Sequence, residues 1–114
     1  MIEATIIGYL INETSAGQAV FAEKPPSPPS KYIIIEKTGG RENNQIPNAT
    51  IAIKSVSKTS LLDAISLNDE VKAKMKEIVE LDSIGSCRLN SDYNFTDQTT
   101  KEYRYQAVFD ITHY

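Results

Sequence analysis

Five features of this 114-residue chain have the chemistry for a reaction or a ligand: His113, Cys87, the carboxylates Asp82, Asp92 and Asp110, a set of tyrosines, and Gly39-Gly40 ahead of Arg41. A histidine beside an aspartate can pass a proton. In a regular strand, however, His113 and Asp110 point to opposite faces, and a penultimate residue is expected to fray. Cys87 is the only cysteine, so neither an internal disulfide nor a thiolate metal site is available. Strand alternation puts it on a packed face, where a thiol is a small hydrophobe. One histidine, one cysteine and scattered carboxylates have no chelating spacing, and no metal or cofactor is expected. The amides of Gly39-Gly40-Arg41 could cradle an anion. Yet the GxxxxGK[ST] pattern is missing and no helix follows, so the glycines read as a turn needing positive φ. Tyr93, Tyr103 and Tyr105 fall on a packed face by alternation, which disfavours a base-stacking platform. Asp92 and Asp110 fall on a polar hairpin face, where solvation is the ordinary role. The chain is therefore not expected to be an enzyme.

With 40% hydrophobic residues, a chain of this size has material for one core and is read as one domain, 1–114. Its formal charge of −3 argues against a duplex nucleic-acid binder, which needs a basic stripe. The N-terminal segment lacks a basic n-region, and no apolar run approaches the ~20 residues of a membrane span. The expectation is a soluble intracellular domain with no membrane contact.

The elements that position these residues follow from periodicity. Ile2, Ile6, Ile7, Leu10 and Ile11 predict a short amphipathic helix that closes between Asn12 and Gly17. Ala19–Ala22 predicts a short strand. Pro25-Pro26-Ser27-Pro28-Pro29 is a stiff extended connector or, alternatively, a ligand for an aromatic groove. Lys31–Lys37 predicts a strand that is apolar on both faces, because Ile33, Ile34 and Ile35 are consecutive. Its back face must be touched by another part of the chain or by another subunit. Thr38 to Pro47 reads as an exposed, flexible excursion, and Ala49–Val56 as the return strand. Ser60–Leu81 predicts a long helix with a Ser60/Asp63 cap. Its seam is Leu61, Ala64, Ile65, Val71, Met75, Ile78 and Val79, and Asn68 interrupts it, marking a kink or a break into two helices. Cys87, Leu89, Tyr93 and Phe95, then Tyr103, Tyr105, Ala107, Phe109 and Ile111, predict the packed face of a long antiparallel hairpin. The fold class is α+β, a mostly antiparallel sheet of four to five strands with two helices packed on one face.

This order of elements resembles the tail terminator, or tail completion, proteins of long-tailed bacteriophages. The likeness runs through Pro28-Pro29-Ser30-Lys31-Tyr32, Ile33-Ile34-Ile35-Glu36, Lys37-Thr38-Gly39-Gly40 and Thr50-Ile51-Ala52-Ile53-Lys54-Ser55-Val56. It continues through the long helix to Ser91-Asp92-Tyr93 and Tyr103-Arg104-Tyr105. Many relatives carry an aromatic near position 56 or 57, which this chain lacks. The resemblance implies a non-catalytic virion protein, assembled in the bacterial cytoplasm. It implies a ring, usually of six subunits, on the head-proximal end of the tail tube, which stops tube growth and offers a surface to the head connector. Its implied partners are copies of itself, the tail tube protein and the head–tail connector protein, with DNA passing through the lumen. On that reading Thr38, Gly39, Gly40, Arg41, Glu42, Asn43, Asn44 and Gln45 form a tube- or ring-contact loop. Ile33, Ile34, Ile35, Ala52 and Val108 then supply a subunit interface. Two other roles fit the same elements: a head-closure protein of the phage neck, and a small-molecule-binding regulatory domain.

Overall fold

Alternation along the central strands decides the layering. The structure, a computed structural model, describes residues 1–43, 46–96, 99–100 and 102–114. Its elements are α1 (Ile2–Glu13), β1 (Val20–Phe21), β2 (Lys31–Asn43), β3 (Ile46–Ser57), α2 (Leu61–Glu77) with a 3₁₀ turn (Ile78–Glu80), β4 (Ile84–Asn94) and β5 (Tyr103–His113). The five strands form one sheet in the order β1-β2-β3-β5-β4. Only the short β1–β2 pairing is parallel; β2–β3, β3–β5 and β5–β4 are antiparallel. The expected α+β class, with both helices on one face of a mostly antiparallel sheet, is the class observed.

In β3 the odd-numbered residues Ala49, Ile51 and Ile53 are buried toward the helices. They pair with Ile111, Phe109 and Ala107 of β5. Ile2, Ile6 and Leu10 of α1 and Leu67, Val71 and Met75 of α2 close the same core. Such burial, at roughly 25 cal/mol per Å² of apolar surface, is the main force holding helices to sheet. Ser60 caps α2 as expected: its hydroxyl accepts from the Asp63 amide at 3.1 Å. Asp63 does not return the bond to Ser60, and its carboxylate instead takes the Thr59 hydroxyl at 2.9 Å. Asn68 does not break the helix, which runs as one element from Leu61 to Glu77.

Three β-bulges decide which face each residue meets. Register skips one residue at Thr38 in β2, and at Gly85 and Asn90 in β4. The bulge at Asn90 inverts the alternation expected for the first strand of the hairpin. Cys87 and Leu89 oppose Ile111 and Phe109 on the helix side, whereas beyond the bulge Tyr93 opposes Gln106 on the other face. Tyr93 and Phe95 are accordingly exposed and lie outside the helix-side core.

The expected flexible excursion from Thr38 to Pro47 is corrected as well. Arg41, Glu42 and Asn43 pair with Asn48, Pro47 and Ile46, so β2 and β3 continue as a ladder almost to their connection. Asn44 and Gln45 lie outside the described residues. The glycines do not supply positive φ either; among the described residues only Gly17 does, at 60°. Gly40 answers a steric demand, since a Cβ there would lie 2.9 Å from the Asn48 carbonyl oxygen. No described helix is long and apolar enough to cross a membrane.

Candidate interaction surface

The three isoleucines of β2 divide between the two faces of the sheet. Ile33 and Ile35 lie in the core under the helices, so neither can meet another subunit in the folded protomer. Ile34 lies on the opposite face, half-buried. Ala52 and Val108 also lie on that face and are direct cross-strand partners. Ala52 is already buried there and Val108 is half-buried. Around Thr50, Asp110 and Thr112 this back face is polar. The Thr50 hydroxyl and the Asn90 amide donate to the two oxygens of Asp110 at 3.2 and 3.0 Å.

At the other end of the back face the apolar character of β2 has an internal cause. Tyr32 and Val56 are fully buried there as cross-strand partners, and the ring of Phe21 lies 6.4 Å from that of Tyr32. The Tyr32 hydroxyl donates to Glu102 at 2.7 Å, and the Lys24 ammonium donates to the other oxygen of the same carboxylate at 2.7 Å. Burial pushes the Glu102 carboxyl up, but these bonds outweigh it and hold the group below its ordinary value. Burial and the Glu102 bond push the Tyr32 phenol up. This network ties the proline segment's flank to the start of β5. Its members are far apart in sequence and share no periodicity, so no local pattern marks them. Lys58 holds the prolines on their other side by donating to the Pro28 carbonyl at 2.8 Å. Beside this network lies the exposed pair Tyr93 and Phe95, packed edge to face at 6.1 Å. Lys54 and Arg104 stand over the Phe95 ring.

Two depressions flank α2. Between α2 and the edge strand β4 runs an open groove of about 650 Å³. Met75, Leu89 and Phe109 all line it, and Leu89 remains 48% exposed. Its charged lining is Asp69, Lys72, Lys76 and Arg88. Lys72 bridges to Asp92 at 2.5 Å and to Asp69 at 3.5 Å. Cys87 also lines the groove, and burial pushes its thiol up to about 11. Between α1 and the C-terminal end of α2 lies a second cleft, of about 560 Å³, whose charged lining is Glu13, Glu77 and Glu80. Burial, and then these three carboxylates, push the Tyr9 phenol up.

No described group of three or more His, Cys, Asp or Glu side chains could hold a metal ion. His113 is not frayed: it pairs with Ile84 within β5, and burial pulls its pKa down. As expected, it faces away from Asp110. Cys87 is half-buried and unpaired.

No family model matches the sequence, and no match to a curated protein was found. The fold has a solved counterpart. A chain in the structure described as "Virion of native gene transfer agent (GTA) particle" superposes with a TM-score of 0.60. The match covers 98% of this chain and 93% of that one, at 12% identity. At that identity the likeness is one of fold, and it takes in the helices, the sheet and both hairpins together.

Proposed function

We propose that this chain is a structural phage protein that forms a ring on the head-proximal end of the tail tube, ends tube growth and presents a surface to the head connector. The observation that carries the reading is the end-to-end fold match to a virion chain, which coincides with the element order resembling tail terminators. No catalysis is part of it. The ring is built from copies of this chain, usually six in the proteins it resembles. Its neighbours are the tail tube protein and the connector protein, and DNA is passing cargo in the lumen. The virion is its place of action and the host cytoplasm its place of assembly.

Within this reading Thr38–Asn43, part of β2 and paired with β3 through Asn43, is the part of the hairpin offered to the tube. Ile33 and Ile35 drop out of the subunit contact because the protomer's own core covers them. A head-closure protein of the neck is the nearest alternative. A small-molecule-binding domain is less well supported, because the space between hairpin and long helix is an open groove and not a closed pocket.

The test uses tail tubes assembled without this protein. Adding the purified chain is expected to place a ring at one end of each tube, visible in electron micrographs, and to halt elongation. Rings that instead bind isolated heads and leave tubes growing would favour the head-closure role. No binding to tubes or heads would overturn the virion reading.

A further inference from the structure

The two depressions beside α2 have opposite charge and lie on different flanks of one helix. The α2–β4 groove is lined by three cations and one carboxylate, and the α1–α2 cleft by three carboxylates and no cation. Among the described residues no ion pair or side-chain hydrogen bond engages Lys76 or Arg88, although both are exposed. On the other flank Glu77 and Glu80 are exposed; Lys74 pairs with Glu77 at 3.8 Å and with Glu13 at 3.9 Å, and among the described residues no ion pair engages Glu80. Apolar surface accompanies each charge set: Leu89 in the groove, and the half-buried Tyr9 and Leu81 in the cleft. Apolar surface rimmed by an excess of one charge sign marks a docking site.

We propose that the groove between α2 and β4 receives the α1–α2 flank of a second copy of this chain, Lys76 and Arg88 of one copy facing Glu77 and Glu80 of the next. The two surfaces differ, so the contact is head-to-tail and leaves one surface of each kind free at the ends of a pair. Such a heterologous contact closes into a ring or runs on as a filament. The inference deepens the ring reading and rests on it for closure, while the pairing itself is drawn from this chain's own surfaces. It moves the subunit contact from β2 to the helical layer and leaves the polar back face outside it.

The test is sedimentation velocity over a wide range of protein concentration in low salt, with circular dichroism as a check on folding. The wild-type protein is expected to associate as concentration rises and to dissociate in about 1 M salt, where screening length falls to ~3 Å. The variants K76E/R88E and E77K/E80K are each expected to lose at least about tenfold in association. An equimolar mixture of the two is expected to associate again, because each retains the surface the other lacks. A misfolded variant could not be rescued in this way. Wild type that stays monomeric throughout, either variant associating normally, or a mixture that stays monomeric would overturn the contact. Tail assays separate the two claims. Rings that form on tubes from both variants sink the contact and keep the role. Self-association abolished by the variants, with tubes indifferent to all three proteins, keeps the contact and sinks the role.

Discussion

Asn68 on α2 donates a 2.8 Å hydrogen bond to Asp92 on β4. The bond exists because the bulge at Asn90 turns Asp92 toward the helix, opposite the core residue Ala107. Lys72, one turn along α2, grips the other oxygen of the same carboxylate, and that bond raises the Lys72 pKa. A polar residue in the helix seam and a bulge in the edge strand are thus two halves of one fastening. It holds the strand beside α2 at the end of the groove.

Replacing Asn68 by alanine should therefore cost about 1–3 kcal/mol, because the change removes a donor to a partly buried carboxylate. Urea denaturation would measure it. Deleting Asn90 should cost only about 1 kcal/mol, for its bond to Asp110, because Leu89 and Ser91 then alternate directly and Ser91 onward keep the faces they already occupy. A severe loss of stability on deleting Asn90 would show that the register does not skip at that residue.

Phe109 anchors the opposite side of the groove at 2% exposure. Phe109→Ala should cost about 3–5 kcal/mol, read from the denaturation midpoint at unchanged slope. A cost below about 1 kcal/mol would show that the side chain faces away from α2.

Glu102 makes acid stability testable. Its folded pKa lies below the ordinary 4.5, so its contribution is present above that value and is lost as pH falls through the lower folded one. Glu102→Gln should flatten the acid side of the stability profile and leave the profile near pH 8 unchanged in shape. An identical acid limb in wild type and variant would show that the carboxylate is not linked to folding.

Cys87 should react slowly with thiol reagents. A thiol at about 11 in place of the ordinary 9.0 holds about 100-fold less thiolate at pH 8, and the thiolate is the nucleophile. Labelling should quicken on addition of urea. Fast labelling of the native protein at pH 8 would contradict the burial that raises the thiol.

Much of the fold is legible in residue spacing, for identifiable reasons. Ile2, Ile6 and Leu10 recur with the helical period. Ser60 sits three residues ahead of the amide it caps. Ile51 and Ile53 alternate with Ala52 and Lys54 on an uninterrupted strand. Leu67, fully buried in α2, packs with the same seam but lies outside the predicted one, while Val79, part of the predicted seam, is exposed beyond the helix end. What spacing misses are the bulges. Thr38, Gly85 and Asn90 each insert one residue, and alternation read straight through them assigns the wrong face from there on, as it did for Tyr93. The Gly-Gly, Asn-Asn composition of 39–44 resembles a loop, yet cross-strand pairing overrides that preference through Asn43. The surface beside α2 was hidden for another reason. Lys72, Lys76, Glu70 and Lys74 read as one solvated charged face, and only the positions of α1 and β4 divide it into two flanks of opposite sign.

The pairing of β3 with β5 joins residues 48–57 to residues 103–112, with α2 and β4 between them in the chain. The two hairpins β2–β3 and β4–β5 are local and can close within microseconds, whereas the seam between them waits on a loop of some fifty residues. During synthesis the open edge of β3 therefore has no partner until the last residues of β5 emerge. An edge carrying Ile51, Ile53 and Val56 is a template for wrong pairing during that wait. Premature association of nascent chains is consequently a hazard separate from the assembly of finished subunits, and the speed with which β5 docks sets how long it lasts.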